Sequence, residues 1–343
     1  MIIKEERIKE LSMNVLSLFD GLGGARIVLD RIGMKPCNYF ASEIDKHAMK
    51  IANVNYPDII QLGDIRNVSA KSLPAIDLLI GGSPCQDLSN AQKGKGLKGE
   101  KSMLFHEYIR VIDAVKPKFF LLENVVNKWA PLMSDIVGVT HVKIDSAVYS
   151  AQSRPRFYWT NIPIKNTSNI ISNICLKDIL EKKVNHLVFS FDDRLVSKIL
   201  KKVSYEERKT MKSDSGILKL FDIPKDLLND NERQRRVYSV YGKTPTLLAR
   251  ADTTKICVDG TIRKLTPLEC ERAQTLPDNY TALASNSQRY KMIGNGFTID
   301  VIAHILGGLI KSGLNSHTRY DRKKIISSKK AKQKNAQLEL SFM

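Results

Sequence analysis

Short apolar runs alternate with amphipathic segments through the first half of this chain. The apolar runs cover residues 15–19, 39–42, 76–80 and 119–122. One amphipathic segment follows the first run and ends near residue 31, and two others cover 45–54 and 104–115. Short apolar runs bounded by turn formers are typical of buried strands, and longer periodic segments are typical of helices. Since parallel strands need crossover connections, the alternation predicts an α/β fold with a parallel sheet.

Residues 161–262 differ from this first half. They are richer in Lys, Asn, Ser and Asp and show weak periodicity, so we predict a second, smaller domain there. A chain of 343 residues is long enough for one large domain and a smaller one. Helical patterning then returns. The predicted division is a first domain at 1–160, a second at 161–262, a return to the first at 263–312 and a basic tail at 313–343.

The chain is strongly basic, with 54 Lys and Arg against 36 Asp and Glu and a formal net charge of +18. Such an excess favours a polyanionic partner, most simply a nucleic acid; the alternative is a generally basic surface. The tail has few apolar residues, so we predict a solvated or disordered arm, with a non-specific phosphate contact as the alternative. Its lysines include Lys323, Lys324, Lys329, Lys330, Lys332 and Lys334.

The five cysteines are scattered, and no CxxC or HxxxH pair is present. This pattern indicates neither a disulfide framework nor a zinc site, and it fits a reduced, intracellular compartment. Residues 1–7 are charged and lack the apolar core of a signal peptide, and no apolar run approaches the length of a membrane span. We therefore expect a cytoplasmic protein that binds no metal and no membrane.

A glycine-rich loop, Phe-Asp-Gly-Leu-Gly-Gly at residues 19–24, follows the first predicted strand and precedes a helix. Glycines let the backbone approach a ligand closely, and the helix start offers free N–H groups. Glu43 closes the second strand, where an acidic side chain can accept hydrogen bonds from both ribose hydroxyls, and Asp64 could accept one from an adenine amino group. Because the loop departs from the dinucleotide pattern, a nucleoside cofactor without a pyrophosphate is favoured.

Cys85 follows the third predicted strand, within Gly-Gly-Ser-Pro-Cys-Gln at residues 81–86. The carboxyl ends of strands are where open α/β sheets hold their chemistry, so this thiol is a candidate nucleophile. Its alternative is a small apolar filler, the usual role of a lone cysteine. Glu123 ends the fourth strand and is a candidate acid; the alternative is ordinary strand-end hydrogen bonding.

Two basic elements accompany this thiol. Arg154 and Arg156 are predicted to share one side of an extended segment, because alternate residues share a face. They could hold a phosphate or a carbonyl oxygen beside the thiol; a pair of surface arginines is the alternative. The Gly- and Lys-rich segment 89–101 is predicted to be a lid over a phosphate backbone, with a plain surface loop as the alternative.

These segments together resemble the DNA cytosine-5 methyltransferase family, and they occur in the family's order. The similar segments are 19–24, 82–86, 123–125, 152–156, 263–274 and 290–296. Some local runs resemble the animal de novo enzymes, whereas the layout resembles compact bacterial or phage modification enzymes. One departure is Gly296-Phe297, where the family usually has Ala or Ser and then Val. The resemblance also implies that residues 287–313 fold back onto the amino-terminal half.

The resemblance implies a Rossmann-like, S-adenosylmethionine-dependent methyltransferase sheet with a smaller, variable target-recognition domain. S-adenosyl-L-methionine would donate the methyl group and S-adenosyl-L-homocysteine would be the product. Cys85 would attack C6 of a cytosine extruded from the duplex, Glu123 would assist at N3, and Arg156 with Arg154 would steady the O2 side. The implied cofactor-binding residues are Phe19, Gly21, Gly23, Gly24, Glu43, Ile44, Asp64, Ile65, Gly82, Leu104, Asn295 and Gly296.

The partner implied is double-stranded DNA, bound by a monomer; a cognate restriction endonuclease is compatible with the resemblance but not required by it. Three of the candidate DNA contacts are the arginines at positions 233, 235 and 236, which could contact phosphates or guanine edges; a solvated helix face is the alternative. Thr246 and Leu247 belong to a segment that resembles the one recurring element of the family in this region. The candidates are Ser89, Lys93, Lys95, Lys98, Arg233, Arg235, Arg236, Thr246 and Leu247.

Three other functions fit the sequence less well. The family's RNA-acting branch methylates transfer RNA, but it carries a Cys-Phe-Thr element that this sequence lacks. A catalytically silent DNA-binding homologue is disfavoured by the presence of Cys85, Glu123 and the glycine loop. A nicotinamide dehydrogenase is disfavoured by the incomplete dinucleotide pattern.

Overall fold

The computed structural model describes residues 9–10, 13–84, 103–167, 170, 172–203, 216–250, 254–311 and 318–341. Cys85 and the predicted lid residues Ser89, Lys93, Lys95 and Lys98 lie outside the described residues, so the predictions for them stay predictions.

The described strands and helices alternate through the first half of the chain, as the apolar pattern predicts. The strands are β1 (Lys9–Glu10), β2 (Asn14–Leu18), β3 (Met34–Lys35), β4 (Asn38–Ser42), β5 (Ile59–Gln61), β6 (Leu78–Gly82), β7 (Phe119–Val125), β8 (Val142–Asp145), β9 (Pro155–Thr160), β10 (Lys219–Asp222), β11 (Arg236–Ser239), β12 (Lys255–Val258) and β13 (Thr261–Lys264). The helices are α1 (Gly24–Arg31), α2 (Lys46–Asn55), α3 (Met103–Val115), α4 (Ala130–Val137), α5 (Leu176–Ile179), α6 (His186–Phe189), α7 (Asp193–Lys202), α8 (Glu232–Arg235), α9 (Pro267–Ala273), α10 (Asn286–Asn295), α11 (Ile299–Lys311) and α12 (Arg322–Ser341).

A seven-stranded sheet with the order β5-β4-β2-β6-β7-β9-β8 forms the larger part of the molecule. Its first five strands are parallel, which confirms the predicted α/β class. The sheet is mixed rather than wholly parallel, since β9 runs antiparallel to both β7 and β8. The parallel strands are apolar and buried because helices cover both faces, as is usual for parallel sheets.

A second sheet of four strands, β10-β11-β12-β13, lies in the polar half of the chain. It has its own small core, which includes Ile199, Phe221, Val237 and Ile262. The sheet ends at Lys264, two residues beyond the predicted boundary at 262. The division into domains itself stays a prediction.

The chain then returns to the amino-terminal half, in the way the resemblance implies. Helix α11 packs against α1, and its buried side chains join the main core. A Cβ at Gly24 would lie only 3.1 Å from the ring of Phe297. The aromatic ring fits at this place because α1 begins with a glycine, which has no side chain. The departure at Phe297 is therefore accommodated by the packing of these two helices.

The predicted disordered tail needs a correction at residues 318–331. Tyr320 is 5% exposed and its ring lies 4.4 Å from that of Phe120, between centroids. Arg322 forms an ion pair with Asp113, with Nε 2.8 Å from Oδ1. Composition suggested a free arm, but one buried ring and one ion pair hold the start of α12 on the larger sheet.

Within the described part of the chain, no single helix is long and apolar enough to cross a membrane, although the bent pair of α10 and residues 299–310 meets the length and composition limits together.

Candidate active site

Glu123 and Arg156 form an ion pair at the carboxyl end of β7. The Arg156 Nε lies 2.9 Å from the Glu123 Oε1, and the two side chains are 11% and 15% exposed. The pairing of β7 with β9 fixes their positions, because Arg156 is opposite Val125 and Glu123 is opposite Tyr158. A guanidinium held by one strand therefore orients the carboxylate of its neighbour.

Gly82 gives this carboxylate its space. It is the register partner of Glu123 in the parallel pair of β6 and β7. A Cβ at position 82 would lie 2.9 Å from the Glu123 Oε2, closer than real contacts allow. The absence of a side chain at Gly82 thus lets the carboxylate lie across the end of β6, next to the segment that leads to Cys85.

Asn124 holds that segment in place. It is 1% exposed, and its Nδ2 donates to the Ser83 Oγ at 3.0 Å and to the Ser83 carbonyl oxygen at 3.2 Å. Ser83 is two residues before Cys85. We did not assign a role to Asn124 from the sequence, although its place beside Glu123 in a segment resembling the glutamate motif was a signal for one.

Arg154 and Arg156 have different partners in the structure, and their predicted joint role beside the thiol stays a prediction. Its side chain is 4% exposed, and its Nη2 donates to the carbonyl oxygens of Gly296 at 2.7 Å and Gly294 at 3.1 Å. Arg154 precedes β9, so the alternation of faces within a strand does not extend to it. Arg154 joins the strand region to the end of α10 instead.

The glycine-rich loop lies between β2 and α1, at the same carboxyl edge. Phe19, Gly21 and Gly23 all have positive φ values, and the Gly21 N–H donates to the Glu43 Oε2 at 2.9 Å. The Gly23 N–H donates to the Asp20 carbonyl oxygen at 3.2 Å. The loop is therefore folded tightly over the ends of β2 and β4.

Asp20 anchors this loop from below. It is 6% exposed, and its Oδ1 accepts a hydrogen bond of 2.6 Å from the Tyr39 hydroxyl. Burial raises the pKa of Asp20 to about 6, against the hydrogen bonds from Ser17 and Tyr39 that lower it. A buried acid beneath the loop was not predicted from the sequence.

Glu43, Ile44 and Asp64 follow the ends of neighbouring strands. The Glu43 Oε1 accepts hydrogen bonds of 2.8 Å from the N–H groups of Ile44 and Asp45. Ile44 is 69% exposed, an unusual degree for a large apolar side chain beside a glycine loop. Hydrogen bonds from Arg66 hold the pKa of Asp64 at about 2, so this carboxylate is already partnered.

The remaining predicted cofactor residues fall into two groups. Asn295 is exposed at the end of α10 and Gly296 follows it. Leu104 is half-buried in the first turn of α3, whereas Ile65 is 4% exposed and packs in the core. Burial leaves Ile65 only its backbone for a ligand contact.

The three arginines predicted to contact DNA have different surroundings. Arg235 donates to the carbonyl oxygens of Ile223 at 2.7 Å and Asp230 at 3.2 Å, so its guanidinium is engaged within the second sheet region. Arg236 forms an ion pair with Glu232 at 2.6 Å. Arg233 is exposed, and its guanidinium has no hydrogen bond or ion pair to any described residue.

Thr246 and Leu247 also differ from each other. Leu247 is 3% exposed, and its N–H donates to the Gln152 Oε1 at 2.9 Å, so its side chain lies in the core; the predicted DNA contact at this residue stays a prediction. Thr246 is half-buried and its hydroxyl donates to the Ser153 carbonyl oxygen at 3.1 Å. A resemblance identifies such a segment but does not say which side chain faces the core.

A small cleft, with a cavity volume of about 20 Å³, lies between these elements. Arg233, Arg236 and Tyr238 line one part of it, and Thr246 and Lys255 line another. Burial raises the pKa of Tyr238. Thr246, which lines the cleft, donates to the carbonyl oxygen of Ser153, two residues before β9.

This fold and this edge define the class: a Rossmann-like α/β sheet of the kind found in a solved DNA modification methyltransferase that is 21% identical, with a TM-score of 0.61. The chain belongs to the C-5 cytosine-specific DNA methylase family, whose model matches residues 13–311, and it is a DNA (cytosine-5-)-methyltransferase.

Among curated relatives, the chain is 30% identical over 332 residues to the type II methyltransferase M.HhaI of Haemophilus parahaemolyticus, covering 88% of this chain and 95% of the relative. It is 30% identical over 319 residues to the type II methyltransferase M1.ScrFI of Lactococcus lactis subsp. cremoris, covering 87% and 78%. The fold is similar to that of Entamoeba histolytica methyltransferase EhMeth, with a TM-score of 0.64, 17% identity and coverage of 88% and 99%. It is also similar to S. pombe Dnmt2 methyltransferase, with a TM-score of 0.61, 15% identity and coverage of 88% and 99%.

Proposed function

We propose that this enzyme transfers a methyl group from S-adenosyl-L-methionine to C5 of a cytosine that has been extruded from a specific duplex DNA sequence, through a covalent Cys85 adduct. The single observation that carries the proposal is the ion pair of Glu123 and Arg156 beside the Ser83 segment that leads to Cys85. It supplies an oriented acidic group beside the segment that leads to the candidate nucleophile.

The cofactor proposal is supported by the arrangement of the glycine loop, Glu43 and Ile44. The Glu43 carboxylate and the exposed Ile44 side chain lie together where a ribose and a flat purine would each find a partner. Asp64 fits less simply, because Arg66 already occupies its carboxylate. When bound, S-adenosyl-L-methionine supplies an electrophilic methyl group, and the proposed ligands otherwise are Phe19, Gly21, Gly23, Gly24, Leu104, Asn295 and Gly296.

The proposed mechanism makes a poor nucleophile reactive. The Cys85 thiolate adds to C6 of the cytosine, which breaks the aromaticity of the ring and makes C5 enamine-like. The carboxyl group of Glu123 donates a hydrogen bond or a proton to N3 as charge develops there, and it takes that proton back when the C6–S bond breaks; Arg156 keeps the group in position. C5 gains the methyl group and loses its proton to solvent, and the C6–S bond breaks to regenerate the thiolate.

Recognition of the surrounding sequence is proposed for the small cleft beside Arg233 and Thr246. The base must leave the stack before the chemistry, at a cost of a few kcal/mol. As the names of the curated relatives indicate type II methyltransferases, we also propose a modification role, for which a cognate endonuclease is an optional partner.

The test uses an oligonucleotide with 5-fluorocytosine at the target position, together with the methyl donor. The target sequence is first found by bisulfite sequencing of DNA from cells that express the enzyme. Because fluorine cannot leave C5 as a proton does, we expect a stable adduct that maps to Cys85 by mass spectrometry. The Cys85→Ala variant should form no adduct and transfer no methyl group, yet still bind the duplex. Methyl transfer to transfer RNA but not DNA, or full activity of the variant, would contradict the proposal.

A further inference from the structure

The docked start of α12 lies at the opposite edge of the sheet from the candidate active site. The Arg319 Nη1 donates to the carbonyl oxygens of Ile76 at 2.9 Å and Lys116 at 3.0 Å. The Tyr320 N–H donates to the carbonyl oxygen of Pro117 at 2.8 Å. These carbonyls precede β6 and β7 at their amino ends. Six residues of extended chain separate Pro117 from Glu123, which is roughly 20 Å.

The first turns of α12 have two distinct faces. Arg322, Ile325, Ile326 and Lys329 recur at helical spacing and face the protein. Arg322 pairs with Asp113, the two isoleucines approach Gly138, and the Lys329 Nζ donates to the Gly138 carbonyl oxygen at 2.9 Å. Spacings of three, four and seven residues place side chains on one helix face.

The other face presents lysines to solvent. Lys323, Lys324 and Lys330 are exposed, and their ammonium groups have no hydrogen bond or ion pair to any described residue. By sequence, α12 contains no acidic residue before Glu339, so nothing on the helix itself offsets this charge in its first turns. We define Lys323, Lys324 and Lys330 as the rear lysines.

The neighbouring lysines of the same edge are already neutralised. Lys116 lies 2.8 Å from Asp321, and Lys118 lies 2.9 Å from Asp77. The rear lysines therefore differ from their surroundings, because a helix docked through Arg322 and Lys329 carries three exposed cations without a partner among the described residues. Such a group of cations on one helix favours a partner with regularly spaced negative charges, and the phosphates of duplex DNA have that property.

We propose that the rear lysines bind a second segment of duplex DNA, without sequence preference, while the target segment occupies the active-site edge. The proposal rests on the proposed function of the active-site edge. The two edges are farther apart than the Debye length of about 8 Å at physiological salt, so the rear lysines act on DNA independently of the target site. Contact with a second segment would let the enzyme transfer between duplexes during its search.

The experiment blocks the target site covalently. The enzyme is trapped on a short cognate duplex that contains 5-fluorocytosine, and the purified complex is titrated with a labelled duplex that lacks cytosine targets. We expect the trapped wild-type complex to bind this second duplex. Changing all three rear lysines to glutamine should weaken that binding by about tenfold or more at low salt. The slope of log K against log salt should fall by up to about 2.7, at about 0.9 for each phosphate that the enzyme no longer neutralises.

The matched control removes three exposed lysines elsewhere on the larger sheet region, Lys35→Gln, Lys50→Gln and Lys71→Gln. This triple variant has the same net charge and should keep the binding and the slope. The proposal is overturned if the trapped wild-type complex binds no second duplex, if both triple variants lose binding equally, or if the rear lysines bind anionic vesicles instead of DNA. If no adduct forms and no methyl group is transferred, the proposed function fails. The salt slopes of the two free triple variants then still test the rear lysines alone.

Discussion

The carboxyl edge of the seven-stranded sheet and the cleft of the second sheet region handle their charges differently. At the sheet edge, Glu123 and Arg156 are mostly buried, paired with each other and held by paired strands. In the cleft, Arg233 is exposed and without a partner among the described residues. Groups proposed to meet reacting atoms need fixed geometry, whereas a side chain proposed to contact DNA can remain without a partner until the duplex binds.

The largest effect that would test this comparison is expected at the fixed pair. Glu123→Gln keeps the shape but removes the acid, and we expect kcat to fall by about 10² to 10⁴. Gly82→Ala should lower kcat as well, because the new Cβ would displace the Glu123 carboxylate. Both are measured as methyl transfer under saturating DNA.

A matched glycine variant separates displacement from general damage. Gly307→Ala adds a Cβ that meets no atom within 4 Å, so its kcat should remain at the wild-type level. If Gly82→Ala were as active as Gly307→Ala, the close approach of Gly82 to Glu123 would have no catalytic meaning.

Arg154 should behave as a stabilising residue rather than as part of the fixed pair. Arg154→Ala leaves the buried carbonyls of Gly294 and Gly296 without a charged donor, and we expect a loss of about 2 to 4 kcal/mol in the free energy of unfolding. Urea denaturation measures this loss. A variant of unchanged stability would contradict the role assigned to these hydrogen bonds.

Arg233 is expected to affect selectivity more than stability. If the Arg233 guanidinium contacts a base edge, Arg233→Ala should reduce discrimination at one base pair by about 1 to 3 kcal/mol. If it contacts a phosphate, the variant should bind all DNA sequences more weakly, and the slope of log K against log salt should be smaller by about 1. Methylation of a randomised DNA library distinguishes the two results. Arg235→Ala is the comparison, since that guanidinium is engaged with Ile223 and should mainly affect stability. Equal selectivity of Arg233→Ala and wild type would place the DNA elsewhere.

Asp20 is expected to give a pH-dependent effect on stability with a defined sign. Its folded pKa of about 6 lies above the ordinary value of 3.8, so the folded state holds its proton more tightly than the unfolded state. The contribution of Asp20 to the free energy of unfolding is fully present below its pKa in the unfolded chain and is lost as the pH rises to about 6. The free energy of unfolding falls over this range by up to about 1.4 kcal/mol per pH unit.

The Asp20→Asn variant lacks this titration. Urea denaturation of both proteins at pH 4.5 and pH 7 should show that the wild type loses stability relative to the variant as the pH rises. A difference that stays constant between the two pH values would mean that Asp20 titrates alike in the folded and unfolded chains.

Much of the larger sheet could be predicted from the sequence because its strands are short, apolar and buried. The strands predicted at 15–19, 39–42, 76–80 and 119–122 are all present, within about two residues at their starts. The antiparallel β8 was not predicted, since half of its residues are exposed and it carries no continuous apolar run. The local pattern of apolar residues indicates which segments are buried, and an edge strand such as β8 is only partly buried.

The tail shows the same limit in the other direction. Its lysines dominate the composition, and they led us to expect disorder. Tyr320 followed by Ile325 and Ile326 was the available signal, but whether so few apolar groups suffice depends on the surface that receives them. That surface is formed by Phe120 and Val137, which are distant in sequence.

The sequence by itself determined the α/β class, the position of the glycine loop and the location of Glu123 at a strand end, because these depend on local periodicity and on residue chemistry. Only the tertiary structure decided that Arg154 turns away to Gly294 and Gly296, that Leu247 is buried and that α12 docks at the rear edge. Each of those outcomes depends on a hydrogen bond or a packing contact between segments far apart in the chain, and no local pattern specifies which segments will meet.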